Sequence, residues 1–260
     1  MLFRSPHSIV SEYIKFFTKE GDTVLDSFSG SGVTALESRI LKRNSIALDL
    51  SPLACFITKC STNRYNINNL NSEYKKIEKD IKLEIISLYD KKIKHSKNSH
   101  KWVPENVDLP SNSDEKKMYD LFTKRNLEAL TILINRLNQI KDLNTKEFFL
   151  GVFSGILHRA SRTFFYDKLN WGGGNSSIFT KYRYWVPDNP NERNVWELFD
   201  NRVGRIKKLA EDVNSNLPAR YSPKIFNESA TEIKSVKNES IDYVYIDPPY
   251  GGNISYIDLS

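Results

Sequence analysis

The stretch TVLDSFSGSGVTA, residues 23–35, joins a short apolar run to an acid, two closely spaced glycines and the start of a helix-like segment. The helical pattern continues to residue 42, and residues 45–50 then form a second strand-like run. Ser51 and Pro52 supply a cap and a first-position proline for another helix. Strands that alternate with helices in this way predict an α/β fold built on a parallel sheet.

The middle of the chain has a different pattern, because long polar helical repeats replace the alternation of strand and helix. Helical patterns cover residues 71–92 and 113–140, and a more apolar pattern covers residues 148–165. Strand-like runs return at residues 224–227 and 241–246. The middle is therefore predicted to be a largely helical insertion into one α/β domain.

This division predicts three segments: a first part of the α/β domain (residues 1–62), the insertion (63–215) and a second part of the α/β domain (216–260). The insertion holds 27 Lys and Arg against 20 Asp and Glu, so it carries the basic excess of a chain whose net charge is +6. A basic segment is expected where a phosphate backbone binds. A solvated Lys-rich helical surface gives the same pattern.

The composition argues against several classes of protein. No apolar run approaches the roughly 20 residues of a membrane span, and the N-terminus lacks the apolar core of a signal peptide, so we expect a cytoplasmic protein without a membrane partner. The histidines form no HExxH pattern and have no Cys at ligand spacing, and Cys55 and Cys60 do not form a CxxC pair. We therefore expect no metal ion.

The glycine-rich loop predicts a ligand site. Gly30 and Gly32, with Ala35, complete a G-x-G-x-x-A pattern between a strand and a helix, where glycines allow a tight turn and close approach of a ligand. Asp26 precedes the first glycine, and a carboxylate there would repel a pyrophosphate but could accept a hydrogen bond from an ammonium group. The plain alternative is a structural turn between strand and helix.

Asp49 adds the second half of this prediction. It ends the next strand-like run, about 20 residues beyond the loop, where an acid can bond both hydroxyls of a ribose. A ligand with an amino-acid moiety and a nucleoside fits Asp26 and Asp49 together. S-adenosylmethionine is such a ligand, and we expect it as the cofactor.

The tetrapeptide Asp247-Pro248-Pro249-Tyr250 follows the last strand-like run. The Asp247 carboxylate and the Pro248 carbonyl can accept hydrogen bonds from an exocyclic amino group, while the prolines stiffen the turn. Tyr250 can stack on a base flipped out of a duplex. No Pro-Cys dipeptide is present, which disfavours a thiolate mechanism at cytosine C5. The alternative for the tetrapeptide alone is a rigid turn.

These residues carry a family resemblance. The motifs DSFSGSG (residues 26–32), Asp49 and DPPY (247–250) resemble the cofactor loop, ribose acid and catalytic tetrapeptide of the amino-group DNA methyltransferases, which methylate adenine N6 or cytosine N4. The resemblance extends to the opening Ser5-Pro6-His7-Ser8, and residues 227–230 lie where the family places groups near the cofactor adenine, although Ala230 replaces the usual acid.

The resemblance implies a Rossmann-like class I methyltransferase fold with a partial parallel sheet and a largely helical insertion. It implies S-adenosylmethionine as cofactor, DNA as partner, and a restriction-modification or related defence role, with adenine N6 favoured by the aspartate at position 247. The implied catalytic residues are Asp247, Pro248, Pro249 and Tyr250. The implied cofactor-binding residues are Pro6, Asp26, Phe28, Gly30, Gly32, Asp49 and Ser229.

The insertion holds a second candidate surface, where basic side chains alternate with aromatic ones. Cations that bind phosphates beside aromatic platforms suit a nucleic-acid surface. The alternative is an aromatic core with a solvated rim of cations. The candidate cations are Arg159, Arg162, Lys181 and Arg183.

Three alternatives qualify the functional prediction. The sheet of such enzymes normally continues after the DPPY strand, so we expect four strands with the catalytic strand at an open edge, and a second chain or a further reading frame that supplies the remainder. An RNA methyltransferase acting on tRNA or rRNA is the enzymatic rival, because DPPYG also occurs there. A non-catalytic fragment that binds nucleic acid or a partner chain is the third.

Overall fold

The part of the chain that the computed structural model describes comprises residues 7–90, 105–164, 184–188 and 190–248. The described residues form two compact units. Residues 7–64 and 211–248 make up an α/β unit, called here the sheet unit, and the described residues between 65 and 210 make up the helical unit. None of the described helices has both the length and the apolar character required to cross a membrane.

The sheet unit alternates strands and helices, as the sequence predicts. In chain order its elements are α1 (His7–Phe17), β1 (Thr23–Asp26), α2 (Val33–Ile40), β2 (Asn44–Asp49), α3 (Pro52–Thr62), β3 (Lys224–Asn227) and β4 (Tyr243–Val244). The described strands form a four-stranded parallel sheet in the order β3-β2-β1-β4, which confirms the predicted α/β arrangement and leaves β4 at an edge of these four strands.

Parallel register brings the carboxyl ends of the strands to one edge of the sheet. Leu25 pairs with Ile46 on one side and with Val244 on the other. Asp49 pairs with Asn227. The predicted strand over residues 241–246 is shorter in the structure, because only Tyr243 and Val244 join the ladder, so the residues that follow are released at the carboxyl edge.

Apolar side chains cover both faces of this sheet. Val24 packs with Val10 and Ile14, which lie four residues apart on the inward face of α1. Neighbouring residues of a strand point to opposite faces, and Leu25 accordingly packs with Leu48 in a separate cluster. Coverage on both faces is what a parallel sheet requires.

A buried arginine connects the two pieces of chain that form the sheet unit. The side chain of Arg39, on α2, is 3% exposed. Its Nη1 donates to the carbonyl oxygen of Thr62 at 2.5 Å, and its Nη2 donates to that of Pro218 at 2.9 Å. Because a buried guanidinium is costly without hydrogen bonds, these carbonyls are required partners. Arg39 thereby fixes the ends of the chain on either side of the insertion.

The helical unit has one apolar core. Its elements are α4 (Ile67–Ser87), a short 3₁₀ helix (Met118–Leu121), α5 (Lys124–Asn138), α6 (Leu143–Ala160) and the first part of α7 (Val195–Asn216), which continues into the sheet unit. The core side chains Ile77, Leu133, Phe149 and Phe199 are fully buried. Each comes from a different helix, so the core joins all four.

The predicted continuous helix over residues 113–140 is wrong. Asp108 forms an antiparallel bridge with Lys117, whose backbone is extended, and residues 113–116 before it are bends. Thr123 has extended backbone angles, and its side chain accepts from the N–H of Asn126 as the N-cap of α5. A threonine cap inside a helical periodicity therefore marks where the helix starts.

Candidate functional site

The candidate site lies at the carboxyl edge of the parallel sheet. Asp26 ends β1, Asp49 ends β2 and Asn227 ends β3, while Asp247 follows β4 by three residues. Ligand sites of open α/β sheets lie at this edge. The topology thus brings together three acids that are far apart in the chain.

The loop between β1 and α2 depends on its glycines. Gly30 and Gly32 have φ values of +50° and +83°, in the left-handed region that side chains disfavour. A Cβ at Gly32 would lie 2.8 Å from Thr58 Cγ2 and 3.0 Å from its Cα, so α3 leaves no room for a side chain. The N–H of Ser29 donates to the carbonyl oxygen of Leu48 at 2.9 Å, which fixes the loop to β2.

Asp49 organises the loop through hydrogen bonds from the backbone. Its Oδ2 accepts the N–H of Gly30 at 2.8 Å, and its Oδ1 accepts the N–H of Ser51 at 2.9 Å. Asn227 Nδ2 donates to the carbonyl oxygens of Asp49 and Leu50, both at 2.9 Å. A carboxylate has about four acceptor sites, so each oxygen of Asp49 keeps capacity for another donor.

Asp26 is the buried acid of the site, with 5% of its surface exposed. The N–H of Phe28 donates to its Oδ1 at 3.0 Å. Burial, together with the negative charges of Asp49 and Asp247, raises the pKa of Asp26 to about 6, against hydrogen bonds from Thr34 and Phe28 that lower it. Within the described residues, no Lys, Arg or His forms an ion pair with Asp26.

The electrostatics of this edge favour one kind of ligand. The carboxylates of Asp49 and Asp247 both act on the buried Asp26, and the N–H of Gly30 in the loop is already bonded to Asp49, so this edge would repel a phosphate. They suit a ligand that carries a positive charge and hydroxyl donors. Among the described residues, no group of three His, Cys, Asp or Glu side chains is arranged to hold a metal ion.

The structure gives fewer contacts for the remaining predicted site residues. Phe28 and Ser229 are half-buried, Pro248 is exposed, and the Ser229 hydroxyl bonds that of Thr231 at 2.8 Å. Pro6, Pro249, Tyr250, Lys181 and Arg183 lie outside the described residues. The functional roles assigned to all these residues stay predictions.

Thr34 and Thr58 support the site but are missed by the sequence motifs. Thr34, on α2, bonds the Asp26 carboxylate through its side chain. Thr58 Oγ1 donates to the carbonyl oxygen of Gly30 at 3.2 Å, and the same side chain fills the space beside Gly32. Thr58 lies two helical turns after the cap Ser51, on the face of α3 that meets the loop. That spacing is the signal that could have identified it.

The two predicted nucleic-acid residues within the described part of the helical unit have different surroundings. Arg162 Nη1 donates to Glu115 Oε1 and to the carbonyl oxygen of Asp120, both at 2.7 Å, so its charge is locally paired. Arg159 lines a cavity with three other arginines. The structure therefore separates two cations that the sequence grouped together.

In comparisons with known proteins, this chain is similar to methyltransferases. The family model for N6/N4 methyltransferases, described as DNA methylase, matches residues 4–60. The type II methyltransferase M.BsoBI of Geobacillus stearothermophilus is 25% identical over 93% of this chain and 46% of its own length. The type II methyltransferase M.MvaI of Kocuria varians is 23% identical over 87% of this chain and 46% of its own length.

A further relative matches a shorter part of the chain. The type II methyltransferase M.MjaII of Methanocaldococcus jannaschii is 34% identical over 24% of this chain and 12% of its own length. No solved structure matches the chain significantly. The chain spans just under half the length of M.BsoBI and M.MvaI. The comparisons therefore relate residues 4–60 to the N6/N4 methyltransferases described as DNA methylase, and they show that most of the chain is similar to type II methyltransferases.

Proposed function

We propose that this chain carries the cofactor site and the catalytic acid of a DNA amino-methyltransferase with a Rossmann-like class I fold. The reaction moves a methyl group to the exocyclic amino group of a flipped base, and the aspartate of the tetrapeptide favours adenine N6 over cytosine N4. One observation carries this proposal: Asp26, Asp49 and Asp247 meet at the carboxyl edge of adjacent parallel strands beside a left-handed glycine loop.

The acids fit S-adenosylmethionine, the cofactor that the family uses. Asp26 is buried without a cationic partner among the described residues, so an ammonium group would relieve the cost of its charge. Asp49 is held by two backbone N–H groups and retains acceptor capacity for ribose hydroxyls. Pro6, Phe28 and Ser229 are proposed as further contacts. When bound, the cofactor supplies an electrophilic methyl group on a sulfonium.

Asp247 is proposed to act on the base. It is exposed after β4 yet close enough to raise the pKa of Asp26, so its carboxylate belongs to the same site. An exocyclic amino group has a delocalised lone pair, and acceptors for its hydrogens bias the nitrogen towards tetrahedral geometry. The Asp247 carboxylate and the Pro248 carbonyl supply two acceptors, and Pro249 and Tyr250 are assigned stiffening and stacking roles.

DNA is proposed as the substrate, with the helical unit as its recognition region. The relatives are named type II methyltransferases, which favours a restriction-modification context. The basic excess of residues 63–215 supports contact with a polyanion. In this proposal, residues 1–62 and 216–260 form the methyltransferase domain around that insertion.

The test is a labelling reaction that separates DNA from RNA substrates. The purified chain is incubated with S-adenosylmethionine labelled in its methyl group, and with either mixed-sequence duplex DNA or bulk tRNA. We expect label in the DNA and none in the tRNA. Label in tRNA alone would overturn the DNA assignment in favour of the RNA rival, and absence of both cofactor binding and label would leave the non-catalytic alternative.

A further inference from the structure

The helical unit contains an arginine-lined cavity that the cofactor site does not use. Its volume is about 230 Å³. Pockets for drug-sized ligands usually span about 300 to 1,000 Å³, so this cavity suits a smaller group. Its lining, called here the arginine pocket, consists of Gly155, Ile156, Arg159, Arg193, Leu198, Asn201, Arg202 and Arg205.

Two helix faces build the arginine pocket. Gly155 and Arg159 lie one turn apart on α6, while Asn201, Arg202 and Arg205 lie on one face of α7. Arg193 precedes α7, and helical packing alone does not fix its position.

Asn126 fixes the connection beside the pocket. This side chain is 1% exposed, and its Nδ2 donates to the carbonyl oxygens of Ala160 at 2.8 Å and Arg193 at 3.2 Å. These bonds join the end of α6 to the residue that brings the fourth guanidinium. The Arg193 guanidinium carbon lies 5.8 Å from the ring centre of Phe164, which holds the side chain from a second direction.

Arg202 has an unsatisfied hydrogen-bond donor in the pocket. Its Nε is a buried atom with no hydrogen-bond partner among the described residues. Its guanidinium lies against the bare backbone of Gly155, where a Cβ would come within 2.1 Å of Nη2. A glycine at this position of α6 is therefore required for the guanidinium to occupy the pocket. A buried unsatisfied donor is costly, which points to a missing acceptor.

The other arginines of the pocket have few acceptors among the described residues. Arg205 Nε donates to the carbonyl oxygen of Asn201 at 3.4 Å, one turn earlier in its own helix. No described carboxylate forms an ion pair with Arg159, Arg193, Arg202 or Arg205. Burial and the neighbouring guanidiniums lower the pKa of both Arg159 and Arg202. By contrast, Arg136 in the same unit bonds Glu73 and Asp80, at 2.8 Å and 2.7 Å.

We propose that the arginine pocket binds one phosphate group of the DNA backbone. Guanidiniums present paired N–H donors that match phosphate oxygens, and an anion at their centre would offset their mutual repulsion. This inference rests on the proposed function, because DNA is the substrate proposed above. A free phosphate has the same chemistry, but the basic excess of residues 63–215 favours an extended polyanion.

The test is the affinity of the chain for a fluorescently labelled mixed-sequence duplex, measured by anisotropy between about 50 and 200 mM salt without cofactor. Gly155→Ala displaces the flexible end of Arg202 from the pocket. We expect this variant to weaken binding about five- to tenfold and to lower the salt slope by about one, the value of one phosphate contact. Arg159→Gln and Arg205→Gln should act in the same direction.

Two variants serve as matched controls. Gly204→Ala makes the same substitution on α7, where a Cβ would meet nothing within 4 Å. Lys141→Gln removes a positive charge from an exposed position in the same unit. Both should bind DNA within about twofold of the wild type. Thermal unfolding of every variant checks that the helical unit stays folded.

Each outcome decides the inference. If Gly155→Ala and the arginine variants weaken DNA binding no more than Lys141→Gln does, the arginine pocket has no role in DNA binding. Inorganic phosphate is the second probe: if the pocket variants lose stabilisation by phosphate while DNA affinity is unchanged, the DNA assignment is overturned. If the pocket variants weaken DNA binding but the wild type transfers no methyl group, only the proposed function is overturned. If the wild type transfers methyl groups and the pocket variants do so equally well, only this inference is overturned.

Discussion

The sheet unit and the helical unit each collect charge of one sign, by different means. In the sheet unit, Asp26, Asp49 and Asp247 follow parallel strands, and backbone N–H groups fix the first two. In the helical unit, long arginine side chains such as Arg159 and Arg202 converge from two helices. The buried Nε of Arg202 has no hydrogen-bond acceptor among the described residues.

The difference teaches how each region selects a ligand. An acidic edge with spare acceptors, whose ionised form is costly at Asp26, favours a cation with hydroxyl groups. A basic cavity favours an anion. The proposed methyl transfer to DNA would use both, since the proposed cofactor is cationic and the proposed substrate is a polyanion.

The largest expected effect concerns the exposed acid of the sheet unit. Asp247→Ala should lower methyl transfer to DNA by roughly a hundredfold or more, because an acceptor for the amino hydrogens is lost. Cofactor affinity, measured by calorimetry, should stay within about threefold, since Asp26 and Asp49 are intact. Asp247→Asn is the matched variant that keeps the shape of the side chain. A large loss of cofactor affinity in either variant would instead assign Asp247 to cofactor binding.

Two glycines with positive φ offer the next test: Gly32, in the loop between β1 and α2, and Gly21, which precedes β1. Gly21→Ala meets open space, so only its left-handed backbone should lower the free energy of unfolding, by about 1 to 2 kcal/mol. Gly32→Ala adds a clash with Thr58, so it should lower the free energy of unfolding by about 3 kcal/mol. It should also weaken cofactor binding. Urea unfolding followed by circular dichroism measures the stability of both variants.

Thr58→Ala in the Gly32→Ala background checks the cause of that difference. Removal of the threonine side chain relieves two of the three close contacts, so part of the lost stability should return. Equal destabilisation by Gly21→Ala and Gly32→Ala would show that the packing of α3 against the loop does not constrain the site.

The pH dependence of stability tests the burial of Asp26. Its pKa is raised from 3.8 to about 6 in the folded chain, so the folded state binds a proton more tightly than the unfolded state does. Stability should therefore fall as pH rises from about 4 to 6, by about 3 kcal/mol in total. Asp26→Asn should remove this dependence and unfold at higher urea than the wild type at pH 8. Coincident pH profiles of the two proteins would contradict the assignment.

The smallest expected effect compares a paired arginine with one from the pocket. Arg136→Gln should lower the free energy of unfolding by about 1 to 2 kcal/mol, because Asp80 loses its arginine partner and Glu73 loses one of its two cations, keeping Lys76. Arg205→Gln should change it by less than about 0.5 kcal/mol, because relief of repulsion offsets lost contacts. Urea unfolding of both variants measures the contrast. A larger loss at Arg205 would mean that the pocket is a structural network.

The sequence predicts the acidic edge better than the arginine pocket, for a physical reason. Asp26 and Asp49 end strand-like runs, and parallel topology puts strand ends together whatever the side chains are. Arg202 and Arg205 lie on a polar helix face, and only the packing of α7 against α6 at Gly155 turns that face into a cavity. Tertiary contacts of this kind leave no periodic signal.

Local contacts that the hydrophobic pattern does not reveal explain the errors in the predicted fold. The helical periodicity of residues 113–140 hides the bridge between Asp108 and Lys117 and the cap at Thr123. The last strand is shorter than predicted because Val244 pairs with Leu25, one residue before β1 ends, so after the Tyr245 N–H bonds Leu25 little of β1 remains to pair with. The order of strands and helices, which depends on hydrophobic pattern alone, is confirmed.

A calorimetric titration with S-adenosylmethionine, of the wild type and of Asp26→Asn, tests the central claim most directly. We expect the wild type to bind and Asp26→Asn to bind at least about twentyfold more weakly, because the charged partner of the ammonium group is lost. Wild-type affinity should also fall about tenfold from pH 7 to pH 5, as the Asp26 carboxylate with a pKa of about 6 takes up a proton. Equal affinity of the two proteins, with no pH dependence in this range, would contradict the assignment of this edge as the cofactor site.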